Sequence, residues 1–449
     1  MIDKETTVKT ILRSLILTTL LFLIIKPSIA GDYYVLCEGN FGQANSSLWS
    51  LDESLATLDG PLIWDTGSNP LGDVGQSFSL YDHKLYIIMN NSHKVRVLDL
   101  ENGPSQLEDI DLAGASPRYM KIQRSPERGF ISSWSLEALL IIDLTTNTVV
   151  DTFLMAGLPE ELLIDGDQLF VSMNIQADYS SDNRVIQLDI SSPTPEVIET
   201  YEVTPGPGSM ALSNNNLYVT SVYYNDAWEI FTGTSRIDLQ TGAILAVDQG
   251  TYNSDRVDIA IINDVPHRTY ASSIVPLDSD LNLVTDQAIA HTDDFISFNV
   301  QNGSIIVGSS DYVAPDILEI YSLDGQSLSS FTVGALPDDV VFYDANVVAL
   351  DDAPELPSSN ALGNAFPNPF NPSTSIPFQL EEAGQTTLRL YNAQGQLVTT
   401  LMNSALEQGN YTLTWNGTND LGRGVPSGIY FAFLSTGSTK SVIKLNLIK

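Results

Sequence analysis

The feature that most constrains the fold is a repeat that runs from residue 32 to residue 344. Each copy has short runs rich in Val, Ile, Thr and Tyr and closes on an aspartate: Asp52, Asp99, Asp143, Asp189, Asp238, Asp278 and Asp324. Successive closing aspartates are 47, 44, 46, 49, 40 and 46 residues apart. A period in the forties with four short strands per copy is typical of a β-propeller blade. Helical solenoids share the period, but this stretch shows no amphipathic helical pattern.

Each copy predicts four strands, and seven copies predict seven blades. In the third copy the four runs are "YMKIQRS", "GFISSW", "LLIIDL" and "TVVDTFLM". The closing aspartate is expected to cap the turn that follows it. The mature chain begins at the second strand of the first blade, so "DDVVFYD", residues 338–344, is predicted to supply the missing innermost strand. This pairing would close the ring and remove its open edges.

The N-terminus has the layout of a secretory signal. Basic Lys4, Lys9 and Arg13 precede the apolar run 15–25, and "KPSIAG" follows. This pattern predicts a signal segment over 1–30 that is cut after Ala30. A membrane anchor is the alternative, but the apolar run is short for a bilayer span. The single cysteine, Cys37, lies in a strand-like run and is interpreted as a packed residue.

The charge divides the chain into two parts. The whole sequence carries −35, the first 30 residues have two more basic than acidic residues, and 361–449 has one more. The segment 31–360 therefore carries about −38. So acidic a body repels phosphate backbones, which argues against a nucleic-acid partner. The simpler interpretation of this negative charge is a solvated surface, and the alternative is an acidic binding surface.

A search for catalytic motifs finds no strong one. Four histidines, at 83, 93, 267 and 291, stand in no metal-binding spacing. The run "DSDLNLVTD", residues 278–286, is faintly similar to a calcium loop but lacks glycine at its sixth position and has Ile289 in place of the twelfth-position glutamate. No cofactor is predicted, and calcium at this turn stays open as an alternative.

The repeats resemble the YncE-like family of seven-bladed propellers over residues 32 to about 350. The resemblance is clearest at 84–118 and 129–160. The openings "LCEGNFG…SSLWSLD" and "PLGDVGQSF…LYIIMNNSHKVRVLD" are similar to a branch of bacterial cell-surface proteins. Some members of that branch capture cobalamin for an outer-membrane transporter. The resemblance therefore implies a corrinoid as one candidate ligand and an outer-membrane transporter as a candidate partner.

In a propeller, the loops between outer and inner strands share one face with the loops between second and third strands. Here these loops mix aromatic and charged residues, a composition that suits a small-molecule site. The predicted ligand-binding residues are Asp73, Arg118, Tyr119, Trp134, Glu160, Tyr179, Tyr223, Tyr224, Trp228, Arg256, Asp294, Tyr312 and Asp339. The alternative for each aromatic is that it covers the edge of the core.

The tail predicts a small second domain. After a linker rich in Pro, Ser and Asn, six strand-like runs follow: "SIPFQL", "TTLRLYNA", "QLVTTLM", "NYTLTWNG", "GIYFAFLST" and "SVIKLNLI". Short alternating strands with regular turns favour an Ig-like sandwich. Pro377 lies inside the first of these strands and cannot donate to a ladder, so that strand is predicted to lie at a sheet edge.

The tail resembles the type A C-terminal sorting domain of type IX secretion. The resemblance depends on "NAFPNPFNPSTSIPFQL", "LRLYNAQGQLVTTL", "GNYTLTWNG", "SGIYFAFL" and "KSVIKLNLIK". The stretch "LTWNGTNDLGRGVPSGIYFAF" is also similar to the Ig-like domain of flagellar hook-capping proteins. The sorting resemblance implies an export machine as partner. Its motif would be Pro367, Asn368, Pro369, Phe370, Asn371 and Pro372. A passive Ig-like spacer is the alternative.

Together these features predict an all-β chain: signal 1–30, seven-bladed propeller 31–350, linker 351–362 and Ig-like domain 363–449. The functional hypothesis is a secreted, surface-displayed propeller of a Gram-negative bacterium that captures a small ligand or partner at its loop-rich face. A propeller enzyme of the quinoprotein-dehydrogenase or lactonase type is one alternative. A structural surface protein without a small ligand is the other.

Overall fold

The computed structural model describes two compact units, which divide the chain into Met1–Ala349 and Leu350–Lys449. The described residues of the first unit are 32–62, 71–101, 103–225, 227–251, 256–291, 295–313 and 315–343. In the second unit they are 362–447, with gaps at 364, 366–367, 369, 371–372, 381–383, 393–396, 407–408, 420–422 and 437–438. Several predictions lie outside these residues: the signal segment, the linker up to residue 361, Asp294, Pro367, Pro369, Asn371 and Pro372.

The described residues of the first unit form seven antiparallel sheets, so the predicted seven-bladed propeller is confirmed. Blade one contains β1 (Asp32–Cys37), β2 (Ser47–Asp52) and β3 (Leu58–Asp59). Blade two contains β4 (Gly75–Tyr81), β5 (Lys84–Met89), β6 (Lys94–Asp99) and an outer strand in two pieces, β7 (Ser105–Gln106) and β8 (Ile110–Asp111). Blade three contains β9 (Pro117–Gln123), β10 (Arg128–Ser133), β11 (Ala138–Asp143) and β12 (Thr148–Leu154).

The remaining blades repeat this order. Blade four contains β13 (Leu158–Asp165), β14 (Gln168–Ile175), β15 (Ser181–Asp189) and β16 (Glu196–Glu202). Blade five contains β17 (Pro207–Ser213), β18 (Asn216–Tyr224), β19 (Ile230–Asp238) and β20 (Ile244–Thr251). Blade six contains β21 (Ile259–Ile262), β22 (Val265–Tyr270), β23 (Ser273–Pro276), a 3₁₀ turn (Thr285–Gln287) and β24 (Ile289–His291). Blade seven contains β25 (Phe295–Gln301), β26 (Ser304–Ser310), β27 (Asp316–Ser322) and β28 (Ser327–Val333).

The ring closes by joining the end of the propeller to its beginning. Strand β29 (Pro337–Tyr343) follows blade seven but pairs antiparallel with β1, where Val340 stands opposite Val35. It thereby becomes the innermost strand of blade one, as the sequence predicted for 338–344. Both valines are buried in a core shared by blades one and seven, which also holds Ile306 and Leu318. Cys37 is buried in the same core, in agreement with its interpretation as a packed residue.

The closing aspartates cap turns, as predicted, in six blades. In blade three, Asp143 Oδ1 accepts hydrogen bonds from the backbone N–H groups of Thr145 at 2.8 Å and Thr146 at 3.0 Å. The prediction is wrong for Asp324, which accepts from side chains. There Ser322 Oγ accepts the backbone N–H of Gln326 at 3.1 Å, because the turn of blade seven begins two residues earlier.

The second unit has the six predicted strands. They are β30 (Thr374–Leu380), β31 (Gly384–Asn392), β32 (Leu397–Leu406), β33 (Gly409–Trp415), β34 (Gly428–Thr436) and β35 (Thr439–Leu447). Strands β30 and β33 form a two-stranded sheet, and the other four form a sheet in the order β32-β31-β34-β35. The edge position predicted for the strand of Pro377 is confirmed: among the described residues β30 pairs with one strand, β33, and otherwise forms only an isolated bridge between Phe378 and Leu362.

Two residues of the sorting motif are described: Phe370 packs in the core of the second unit, and Asn368 binds the backbone of β35. Phe370 is buried, and its ring centroid lies 5.3 Å from that of buried Trp415. The side-chain amide of Asn368 makes two hydrogen bonds to the backbone of β35. Its nitrogen donates to Lys444 O at 2.8 Å, and its oxygen accepts from Asn446 N at 2.7 Å. The described part of the motif thus lies along β35. Within the described residues of the whole chain, no helix is long and apolar enough to cross a membrane.

Candidate functional site in the propeller channel

The inner strands share a sequence pattern in which proline is followed by two variable residues and an apolar one. It reads "PRYM" in β9, "PEEL" in β13, "PGSM" in β17 and "PDDV" in β29. The inner strands of neighbouring blades pack side by side, so the variable pairs meet around the propeller axis. The pairs are rich in charge, and Arg118, Glu160 and Asp338 are among them.

Several of these side chains bind the backbone of the next blade. Asp339 Oδ2 accepts from Phe78 N at 2.9 Å, which links blade one to blade two. Glu161 Oε2 accepts from Met210 N at 3.3 Å, and Asp258 Oδ2 accepts from Phe298 N at 3.2 Å. The carboxylates therefore have a structural role, because each one satisfies a backbone donor between two blades.

Two cavities follow one another along these strands. The mouth cavity has a volume of about 390 Å³ and lies at the loop-rich end. Its lining comprises Glu38, Arg118, Tyr119, Trp134, Glu160, Glu161, Asn174, Gly206, Gly208, Ser209, Thr220, Val222, Tyr224, Arg256, Val257, Asp258, Tyr312 and Leu336. The second, here called the lower cavity, also has about 390 Å³ and is lined further along the same strands. Tyr119, Glu161, Ser209 and Asp258 line both cavities and form the waist between them.

Arg118 is held from three sides at the mouth cavity. Its Nε and Nη2 atoms donate to the Glu160 carboxylate at 3.0 Å and 2.6 Å. Its Nη1 atom donates to Gln76 Oε1, and its guanidinium carbon lies 4.5 Å from the ring centroid of Trp134. Burial alone lowers the pKa of Arg118, but the Glu160 carboxylate outweighs that effect and raises it. The guanidinium is therefore a fixed cation.

Arg256 joins two carboxylates from different parts of the chain. Its Nη2 lies 3.1 Å from Glu38 Oε2, and its Nη1 lies 2.8 Å from Asp338 Oδ1. The exposed fraction of the side chain is 23% for Arg256, 17% for Glu38 and 12% for Asp338. Burial alone lowers the pKa of Arg256, and the two carboxylates, Asp338 first, raise it well above its usual range. Arg256 thus neutralises charge that would otherwise repel at the channel.

The carboxyl groups of the waist region bind protons unusually tightly. Burial raises the pKa of Glu161 to about 8, although Lys121 opposes the rise. Burial also raises the pKa of Asp338 to about 8, against the attraction of Arg256, and raises the pKa values of Asp258 and Asp339. The cause is that these groups lie deep in the ring, where little water solvates the charged form.

The structure brings together seven of the predicted site residues in the mouth cavity: Arg118, Tyr119, Trp134, Glu160, Tyr224, Arg256 and Tyr312. Asp339 lines the lower cavity. Four others line neither cavity: Asp73, Tyr179, Tyr223 and Trp228. Asp294 lies outside the described residues.

The four residues outside the cavities have their own environments. Tyr179 and Trp228 are 79% and 81% exposed, and the Trp228 ring centroid lies 6.0 Å from that of Tyr224 at the cavity rim. The Tyr223 hydroxyl donates to Asp248 Oδ2 at 2.7 Å. Asp73 Oδ1 accepts from Gly42 N at 3.0 Å. These four residues were predicted only because they lie in or beside loops on the loop-rich face. Such loops extend past the channel mouth, so a residue in them need not line the cavity.

Site residues that the sequence prediction missed include Glu38, Asn174, Asp258 and Gln76. The repeated inner-strand pattern is the signal that could have found Gln76 and Asp258, since both occupy its variable pair in divergent copies. Glu38 follows β1, where no repeat pattern marks it. Its role depends on Arg256, which comes from blade six and is 218 residues away along the chain.

Three histidines have hydrogen-bond partners within the fold, and His267 Nδ1 lies 2.9 Å from Val265 O. His83 Nδ1 lies 2.8 Å from the Tyr343 hydroxyl, and His93 Nδ1 accepts from Ser116 N at 3.1 Å. At the faint calcium loop, Asp278 Oδ1 accepts from the backbone of Asp280 at 2.9 Å and of Asn282 at 2.8 Å. In the parts of the chain that the structure describes, no group of three or more His, Cys, Asp or Glu side chains is arranged to hold a metal ion.

Comparison with known proteins identifies the tail. Residues 363–439 match the family model of the FlgD Ig-like domain. The match covers most of the second unit and agrees with its two packed sheets. No curated protein sequence matches the chain.

Solved structures share the fold of the propeller. A protein from Lactobacillus plantarum aligns with a TM-score of 0.53 and 13% identity, covering 70% of this chain and 99% of that one. A protein of unknown function from Desulfotomaculum acetoxidans gives 0.51 and 8%, covering 70% and 99%. A putative 6-phosphogluconolactonase from Bacteroides fragilis gives 0.50 and 12%, covering 71% and 99%. At these identities the likeness shows the fold alone.

Proposed function

We propose that the protein is an exported binding protein, displayed at the surface of a Gram-negative cell, that captures a small organic ligand in the mouth cavity. The observation that carries this proposal is the arrangement of the cavity. Trp134, Tyr224 and Tyr312 line it with aromatic rings, and Arg118 and Arg256, each paired with a carboxylate, line it as well. Aromatic walls with a few convergent polar groups are typical of small-molecule sites.

The size and the hydrogen-bonding capacity of the cavity support the proposal. Its volume of about 390 Å³ falls in the range of about 300–1,000 Å³ found for ligand pockets. Trp134 lines the cavity, and its buried Nε1 has no hydrogen-bond partner in the part of the chain that the structure describes. A buried donor left without a partner is costly, and a ligand acceptor would relieve that cost. A corrinoid is larger than the cavity encloses, so it would bind across the aromatic rim.

Export is supported by the two ends of the chain. The N-terminal sequence has the layout of a secretory signal. The tail matches the FlgD Ig-like domain and carries the motif that resembles a type IX sorting domain. We propose that the tail directs the propeller through the outer membrane. Fractionation of host cells that carry a chain ending at residue 362 should then find the propeller retained inside, and surface display of that shortened chain would contradict the proposal.

The ligand should be found by thermal unfolding of the full chain against corrinoids, oligosaccharides, amino compounds and organic acids. A ligand at about 100 times its dissociation constant stabilises a fold by about 2.7 kcal/mol. Replacing Tyr224 and Tyr312 together by alanine should weaken the binding of the ligand so found by about tenfold or more, because two aromatic walls are lost.

Tyr179→Ala is the matched control for that double variant. Tyr179 also lies in a loop between second and third strands, but it is 79% exposed and lines neither cavity. Its loss should leave affinity unchanged. Equal losses in both variants would place the site on the outer loops, and no stabilisation by any compound would contradict ligand capture.

A further inference from the structure

We infer that the waist of the channel binds the cationic group of a small organic ligand that also carries an oxygen acceptor, as amino acids and amino sugars do. The inference rests on the proposed function and names the chemistry of its ligand. The cationic group would lie between Glu161 and Asp258, and the oxygen would face Gln76 and Lys121. Both carboxylates line the mouth cavity and the lower cavity.

The distribution of charge around the waist calls for a cation. Arg118 is already paired with Glu160, and Arg256 is already paired with Glu38 and Asp338. Among the described residues, Glu161 and Asp258 make no direct ion pair with any cationic side chain. Lys121 favours the ionised form of Glu161 and Arg256 that of Asp258, but neither cation contacts its carboxyl group directly. An ammonium or guanidinium group between the two carboxyl groups would supply a direct partner.

An independent observation points to the oxygen acceptor. Gln76 is 1% exposed and lines the lower cavity, and its Nε2 has no hydrogen-bond partner among the described residues. Its Oε1 is already occupied by Arg118, which fixes the direction of the amide. Lys121 lines the same cavity and makes no direct ion pair with a described carboxylate. A ligand oxygen or carboxylate at this point would satisfy both donors.

Protonation of Glu161 should be coupled to binding. The groups that face it are Tyr119 and Lys121 of β9, Ser209 of β17 and Asp258 before β21. Its pKa of about 8 means that the carboxyl is mostly protonated at pH 7 in the free protein. A bound cation favours the ionised form, so binding should release a proton.

The test is calorimetric titration of the full chain with two matched pairs of probes. Arginine and citrulline have nearly the same shape, but only arginine carries a guanidinium group; glucosamine and glucose differ in the same way. The cationic member of a pair should bind about tenfold more tightly than the neutral one, as charge-assisted hydrogen bonds predict. Titrations at pH 7 in two buffers of different ionisation enthalpy should show proton release, and arginine affinity should rise up to about pH 8.

Glu161→Gln keeps an acceptor for Met210 N but removes the ability to ionise when a cation binds. It should reduce arginine affinity about tenfold and abolish proton release. Asp178→Asn, in the exposed loop between β14 and β15, is the control and should change neither. Equal binding of the neutral probes, or arginine binding without proton release, overturns this inference while ligand capture stands. Binding of no probe also overturns it, and the broader ligand panel then decides the proposed function separately.

Discussion

Val340→Asp is expected to prevent the propeller from closing. Val340 is 3% exposed in the middle of β29, opposite Val35, in the core between blades one and seven. A carboxylate there would have no cationic partner among the core residues, and its burial should cost about 4 kcal/mol or more. That loss is comparable to the whole stability of many domains, about 5–15 kcal/mol. Chemical denaturation of the full chain, followed by circular dichroism, measures it.

The control for this change is Val150→Asp. Val150 lies in β12, the outer strand of blade three, and is 59% exposed. The same substitution there should change stability by about 0.5 kcal/mol at most, because the new charge stays in water. A small effect at Val340 would mean that β29 does not close the ring. A large effect at both sites would mean that added negative charge destabilises this acidic protein wherever it is placed.

The sequence predicted the blades well because their physical causes are local. Strand propensity, turn chemistry and the regular spacing of closing aspartates all lie within one copy of the repeat. The closure by β29 was also predictable, since the first copy of the repeat lacks an inner strand and a strand-like run follows the seventh copy. Asp324 is the exception, because it does not cap its turn as the other six closing aspartates do. A shift of two residues in one turn moved the capping role to Ser322 without changing the repeat pattern.

The site was only partly predictable because it is assembled from distant residues. Each inner strand contributes two polar residues, and the sequence alone does not show which of them meet across the axis. The Arg256 ion pairs join blade six to Glu38 and Asp338. Exposed loop aromatics such as Tyr179 and Trp228 have the same composition signal as Tyr224 and Tyr312. Only the geometry of the ring separates those that line the cavity from those that do not.

Arg256→Met is expected to destabilise the propeller by about 3 kcal/mol at pH 9, which is above the Asp338 pKa of about 8, so that this carboxyl is mostly ionised. This value is at the lower end for a broken buried ion pair, because the three side chains retain some exposure to the channel. The arginine holds Glu38 and Asp338 together, and its loss leaves two carboxyl groups without their cation. Methionine fills much of the same volume, so most of the effect should be electrostatic. Urea denaturation of the full chain at fixed pH measures it.

The pH dependence and a triple variant separate charge from packing. The Asp338 pKa is about 8 even beside Arg256, and removal of the cation should raise it further. A carboxyl whose pKa is raised on folding favours the folded state at low pH and disfavours it as pH rises through the folded pKa. The deficit of Arg256→Met should therefore shrink as pH falls from 9 toward 6. Adding Glu38→Gln and Asp338→Asn should restore most of the lost stability at pH 9, because no charge is then left unpaired. A triple variant no more stable than Arg256→Met would show that Arg256 acts by packing against the channel wall.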